Sequence, residues 1–197
     1  MEISPLTGLC LLAAALLATG VTDAGAAATE GAGLPIGQRA SIFALKDQSN
    51  KEVSLETLLR KGPVAVVFVR SAEWCLYCKL QLVQLQRNLK EIEATGGQVV
   101  SISYDSVEKL KVFANRTRIT FPLLSDTGSK TIDAYDIRSK DASPESSGFS
   151  SHATFILDQK GIIRAKLFQL SYQERSAVDA LINALKEAHN VKGQSKS

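Results

Sequence analysis

Apolar and polar positions follow two different periods along this chain, and the change between them is sharpest across Val64 to Lys79. Val64-Ala65-Val66-Val67-Phe68-Val69 is an unbroken apolar run behind Gly62-Pro63. A β-branched run bounded by breakers predicts a strand buried on both faces. Beyond it, apolar residues return at helical spacing at Cys78, Leu82, Leu85, Leu89 and Ile92. That spacing predicts one long helix, ended by Gly96-Gly97. The segment Trp74-Cys75-Leu76-Tyr77-Cys78 falls where the strand stops and the helix starts.

The same reading places the other elements. Ile42 to Leu45 predicts a short strand, Gln48 to Lys51 a turn, and Glu52 to Ser54 a returning strand. Leu55 to Arg60 predicts a short helix capped by Ser54 and stopped by Gly62-Pro63. Val99 to Tyr104 is the next strand. Asp105, with Glu108 three positions on, reads as the cap of a helix whose inner face is Val107, Leu110 and Phe113. Phe121 to Leu124 is a short extended piece, and Thr131 to Tyr135 a small helix. Ser139 to Ser151 is Ser-rich, with Pro144 and Gly148, and predicts a long surface loop. Thr154 to Leu157 and Ile162 to Leu167 flank Asp158-Gln159-Lys160-Gly161, a hairpin signal. Glu174 to His189 predicts a closing helix with Val178, Leu181, Ile182 and Leu185 facing inward. Strand–helix alternation followed by a hairpin and a helix implies an α/β fold with a mixed sheet and helices on both faces. In such a sheet the functional site lies beyond the C-terminal end of a central strand, which is where the two cysteines fall.

Length and composition narrow the class. At 197 residues and 45% hydrophobic, the chain supports one good core and one domain, placed at residues 38–190. The formal charge of +3 has no basic stripe with interleaved aromatics, which argues against a nucleic-acid partner. Leu9 to Ala18 is apolar but too short to span a bilayer. It is followed by Ala24-Gly25-Ala26 and Ala26-Ala27-Ala28, the pattern of a secretory signal peptide over residues 1–28. Glu2 stands where such a leader carries a base, which a misassigned start or an uncleaved anchor, the only route to a membrane, would explain; a disordered Ala-rich tail is the bland alternative. Residues 29–37 read as a Gly- and Pro-containing linker, and 191–197 as a polar tail. Residues 1–28 hold two acids and no base, so their removal raises the charge from +3 to +5 and takes Cys10 away. One adjacent pair, Cys75 and Cys78, then remains. An exported chain with one such pair fits redox work in a periplasmic or extracellular compartment.

The placement of the pair carries the chemistry. A thiolate is the nucleophile in disulfide exchange, and the free N–H groups and positive end of a helix favour the anion. The spacing puts both sulfurs within one turn, so one can attack and the other resolve. Two other readings stand beside this one. A structural disulfide is one, although it would close a very small loop. A zinc site is the other, although zinc takes about four ligands and only His152 and His189 remain as nitrogen or sulfur candidates outside the leader. The expectation is therefore no metal and no cofactor.

Ala72-Glu73-Trp74-Cys75 with Cys78-Lys79 resembles the thioredoxin active site. Phe121-Pro122-Leu123-Leu124-Ser125-Asp126 and Phe155-Ile156-Leu157-Asp158-Gln159-Lys160-Gly161 resemble peroxiredoxins of the alkyl hydroperoxide reductase and thiol-specific antioxidant family. The resemblance runs from about Gly37 to Phe168. It implies a thioredoxin-like fold with a peroxiredoxin-like N-terminal extension, and thiol-based reduction of disulfides or peroxides. It also implies a disulfide- or thiol-bearing protein partner or a thioredoxin-like electron donor, with a hydroperoxide as the alternative substrate. With Cys78 on the peroxidatic position, the family's Pro, Thr and later Arg are matched here by Ser71, Cys75 and His152. The buried Asp of thioredoxins is matched by Val69.

Four residues are supporting candidates. His152, by its family position, would polarise a thiolate or a bound peroxide; as a surface residue after a polar loop it needs no role. Trp74 would shield and pack the motif. Tyr77 would help dock a partner or simply pack, and Arg70 would add positive potential. The primary expectation is an exported thiol–disulfide oxidoreductase in which Cys75 attacks and Cys78 resolves. The alternatives are a thiol-dependent peroxidase acting through Cys78, and a binding module whose disulfide is structural.

Overall fold

The computed structural model describes residues 33–139, 148–168 and 175–191. The expected leader with Cys10, the first part of the expected linker, the middle of the Ser-rich loop and the end of the polar tail lie outside the described residues. Among the described residues seven strands form one sheet, in the order β2-β1-β5-β4-β3-β6-β7. The strands are β1 (Ala44–Asp47), β2 (Glu52–Ser54), β3 (Val64–Phe68), β4 (Gln98–Ser103), β5 (Leu123–Ser125), β6 (Ala153–Leu157) and β7 (Ile163–Phe168). β3, β4 and β5 run parallel; β6 pairs antiparallel with β3 and with β7, and β1 pairs antiparallel with β2 and with β5. The sheet is thus mixed, with a β1–β2 hairpin as the N-terminal extension.

Every residue of β3 is buried, because layers cover both faces of the sheet. Ala65, Val67 and Val69 point to one side. There they meet α2 (Leu76–Arg87), α3 (Leu89–Glu93), α4 (Val107–Thr117) and α6 (Arg175–Asn190) through Leu82, Ile92, Leu110, Leu181 and Leu185. Val64, Val66 and Phe68 point to the other side, against Leu55 and Leu58 of α1 (Leu55–Lys61), Ile132 of α5 (Lys130–Ala134) and Tyr135. The crossovers from β3 to β4 and from β4 to β5 step in one direction across the sheet. Right-handed connections therefore lay α2 and α4 on the same face, and α2 begins at the C-terminal edge of β3. No helix among the described residues is long and apolar enough to cross a membrane.

Several local expectations are corrected. The long helix is two: α2 stops at Asn88, whose amide Nδ2 donates to the Gln84 carbonyl at 2.8 Å, and α3 restarts at Leu89. An Asn side chain that competes for helix carbonyls ends a turn that apolar spacing alone would continue. The first strand forms two residues later than Ile42 to Leu45, and Ile42 is exposed. Ser106, rather than Asp105, caps α4, its Oγ accepting from the Lys109 amide. The expected linker lies against the fold from Gly33 onward, with the Leu34 amide donating to Tyr135 O and the Gly37 amide to Ile163 O. A Cβ on Gly33 would come within 2.7 Å of Ile137 Cγ2 and 2.8 Å of Phe155 Cζ, at φ +95°, so only glycine fits there. The ends of the Ser139–Ser151 segment are not surface loop either: Ser139, Phe149 and Ser150 are buried, and the Ser139 amide donates to Phe149 O.

Candidate functional site

β3 delivers the chain to the site, and its pairing runs one residue past the strand, with the Val69 amide donating to Ile102 O. The chain then turns through Ser71 to Trp74 before α2 begins. That turn is pinned from below by Asp105, which stands just beyond β4. Asp105 Oδ1 accepts from the Ser71 hydroxyl at 2.8 Å, and Oδ2 accepts from the Ala72 amide at 2.6 Å and the Ser103 hydroxyl at 2.8 Å. The Ser71 oxygen in turn accepts from the Glu73 and Trp74 amides at 2.9 and 3.2 Å. Ser71, Ser103 and Asp105 are all buried. A buried carboxylate is tolerated when its oxygens are met by donors, and here they fix the backbone that presents the cysteines.

Cys75 is the N-cap of α2. Its backbone is extended, its carbonyl accepts from the Lys79 amide at 3.1 Å, and its Sγ accepts from the Cys78 amide at 3.3 Å. The sulfur therefore occupies the position a serine oxygen takes in an ordinary cap. When the pair is reduced, that amide and the end of the helix favour negative charge at Cys75. Cys75 and Cys78 are joined as a disulfide, with their Cα atoms 5.3 Å apart. Sequence placement implies that solvent reaches both sulfurs. The structure limits this: Cys75 keeps 6% exposure and Cys78 none, because the second cysteine is one turn into the helix and faces the sheet.

His152 lies one residue before β6, whose first residue pairs with Phe68 at the end of β3. That register carries the imidazole to the mouth of the motif, 77 residues along the chain from Cys75. Its Nε2 lies 3.1 Å from Cys78 Sγ and 3.9 Å from Cys75 Sγ. Burial, and then the positive charge of Arg70, hold its pKa below the usual histidine value, which favours the neutral imidazole near neutrality. Arg70 lies over the Phe149 ring, 5.2 Å from its centroid. Trp74 meets the same ring edge-on at 5.6 Å and donates its indole N–H to Tyr104 Oη at 2.8 Å. Even so, Trp74 is 47% exposed, and Leu76 and Tyr77 beside it are 64% and 63% exposed. The six residues singled out in the sequence thus fall in one place. Arg70, Trp74, Cys75, Cys78 and His152 are linked by the contacts above, and Tyr77 stands on the exposed rim.

Three contributors escaped sequence reading. Asp105 looks like a helix cap until its side chain is seen to turn inward. Phe149 sits in a segment whose composition reads as loop. Ser71 gives no local signal. The alternation Ser101, Ser103, Asp105 at the end of an otherwise apolar strand was the available clue, since polar residues on a buried strand require partners.

The AhpC/TSA family profile matches residues 36–166. The chain belongs to that family. It is 30% identical over 151 residues to the chloroplastic peroxiredoxin Q of Populus jackii, covering 76% of this chain and 67% of that protein. It is 32% identical over 133 residues to alkyl hydroperoxide reductase E of Mycobacterium tuberculosis, covering 66% of this chain and 83% of that protein. Among solved structures it is similar to peroxidoxin BcpB from Mycobacterium tuberculosis, with a TM-score of 0.71 and 23% identity over 78% of this chain and 97% of that one. That last likeness bears on the fold: a thioredoxin-like sheet as expected. Family membership makes the chain a thiol-based oxidoreductase of the peroxiredoxin-like kind.

Proposed function

We propose that the chain is an exported thiol–disulfide oxidoreductase that reduces a disulfide on a protein partner through Cys75. The observation that carries this reading is the asymmetry of the pair. Cys75 caps the helix and is the only one of the two cysteines with any exposure, while Cys78 is fully buried one turn into the helix. The Cys75 thiolate attacks one sulfur of the partner's disulfide. A mixed disulfide forms and the partner's other sulfur leaves as thiolate. Cys78 then gives its proton to His152 Nε2 and attacks the Cys75 sulfur. The Cys75–Cys78 disulfide forms, and the partner's second sulfur leaves. The partner gains two electrons and this chain loses them; a dithiol donor of thioredoxin type returns them. The exposed rim of Trp74, Leu76 and Tyr77 supports a protein partner, since desolvated aromatic and apolar groups anchor such contacts. Export rests on the apolar stretch and Ala-x-Ala pattern of residues 1–28.

One variant tests this reading. With Cys78→Ser, the partner should remain covalently bound to Cys75 and be released by dithiothreitol; a folded Cys78→Ser chain that captures nothing from an exported-protein extract contradicts it.

A second reading has its own support. Family membership and the contact of His152 with Cys78 favour a thiol peroxidase. In it the Cys78 thiolate attacks a hydroperoxide, an alcohol leaves, and the sulfenic acid condenses with the Cys75 thiol, losing water. Stopped-flow consumption of hydrogen peroxide separates the two: turnover far above that of free cysteine supports the peroxidase, and a rate like free cysteine rejects it.

A further inference from the structure

We infer that the reduced Cys75–Cys78 pair and His152 form a three-ligand site for a thiophilic divalent cation of the zinc type, opened by reduction and closed by oxidation. The sulfurs and His152 Nε2 all lie within 4.8 Å of one another. Ligands around tetrahedral zinc are about 3.6 Å apart for sulfur to nitrogen and about 3.8 Å for sulfur to sulfur, from bond lengths of about 2.3 and 2.05 Å. The observed sulfur–nitrogen separations, 3.1 and 3.9 Å, bracket the first value. The second needs only that the bonded sulfurs part, which reduction brings about. His152 need not move from the place the β3–β6 register gives it.

A closed four-ligand zinc site would need His189 beside the other three. The remaining candidate, His189, is on the exposed end of α6, away from this cluster. Among the described residues no fourth His, Cys, Asp or Glu joins the three. Three protein ligands with the fourth position left to water or a small thiol is the arrangement of an open zinc site. Charge balance also favours a divalent ion. Two thiolates and a neutral imidazole make a neutral complex with it, which suits a buried site beside the Arg70 cation. The Cys78 amide, donating to Cys75 Sγ at 3.3 Å, supplies the second hydrogen-bonded layer such ligands need.

The steps balance. A dithiol delivers two electrons and two protons to the disulfide, or a phosphine delivers the two electrons and becomes its oxide while water supplies the protons and the oxygen; the cation then displaces the two thiol protons. Oxidation by a partner disulfide or a hydroperoxide, which takes up the two electrons, joins the sulfurs again, removes both sulfur ligands and releases the ion. The site needs only reduced thiols, so it stands or falls separately from the choice between disulfide reduction and peroxidase chemistry.

The test uses the full chain carrying Cys10→Ser, reduced with a phosphine and titrated anaerobically with cobalt(II), then with zinc(II). The expected result is one cobalt per chain, a sulfur-to-cobalt charge-transfer band with four-coordinate visible bands, and bleaching by one equivalent of zinc. The oxidised chain shows no band. His152→Ala weakens binding by at least about tenfold, the lower range for losing even an outer-layer partner of a ligand. Circular dichroism establishes that each form is folded. Two results overturn the inference: a folded, reduced chain that gives no charge-transfer band, or a His152→Ala chain that binds cobalt as tightly as the parent.

Discussion

The Asp105 carboxylate accepts the Ser71 hydroxyl at 2.8 Å across 34 residues of sequence, and through that bond the end of β4 sets the geometry of the loop before Cys75. Ser71 is the hub of this link. It donates to Asp105 and accepts from the amides of Glu73 and Trp74. The loop is thus ordered by buried polar contacts, with Ala72 packed into the core and Trp74 half-exposed at its end.

Removing the Asp105 side chain strands buried donors on Ser71, Ala72 and Ser103. Asp105→Ala should lower stability by about 3 kcal/mol, since each unsatisfied buried polar group costs about 1–3 kcal/mol and the loop relaxes to recover part of it. Ser71→Ala should cost about 1–2 kcal/mol on the same grounds. Urea denaturation midpoints check both. If the two substitutions together cost the sum of each alone, the residues are not one network.

Much of this fold is legible in the residue pattern, and the failures share a cause. β3, the β6–β7 hairpin and the inward face of α6 are written as apolar periodicity, because burying apolar surface decides where they go. Cys75 and Cys78 are legible because a strand-to-helix junction has a chemistry of its own. The break at Asn88 is decided by one side chain competing for a helix carbonyl four residues back, and the inward turn of Asp105 and the packing of Phe149 onto Trp74 by single side chains meeting partners far along the chain. His152 falls between these cases: its family position flagged it, but only the register of β6 on β3 brings it to the sulfurs.

Tyr77 should matter for partners rather than for folding, and Trp74 for both. Both are largely exposed, so Tyr77→Ala should leave the denaturation midpoint within about 0.5 kcal/mol of the parent. Trp74→Ala also loses the Tyr104 bond and the Phe149 ring contact, worth about 1–2 kcal/mol together. In each variant, reduction of a disulfide on a folded protein should slow at least several-fold, while reduction of a small aromatic disulfide changes little. Equal slowing of both substrates would place these residues in the chemistry instead.

Asp126 supplies a pH-dependent term away from the cysteines. Burial raises its pKa, opposed by the α5 amides, among them Ile132 N donating to Oδ2 at 2.9 Å. A carboxyl whose native pKa is raised holds its proton more tightly when folded. The stability this gives is fully present below the unfolded pKa and is lost as pH rises through the native one. Asp126→Asn keeps an acceptor for the amides and cannot ionise. Its stability relative to the parent should therefore improve on going from about pH 3 to about pH 7, across the usual carboxylate range. A difference that stays constant over that interval would show that Asp126 does not titrate differently in the folded chain.

On the proposed reading Cys75, with 6% exposure against none for Cys78, is the cysteine that reacts first. The direct measurement is the rate of iodoacetamide labelling of each cysteine in the reduced, folded chain near neutral pH, resolved by peptide mass spectrometry. Cys75 should be alkylated readily and ahead of Cys78. Labelling that falls first on Cys78, or that leaves both cysteines unmodified until the chain is unfolded, would contradict it.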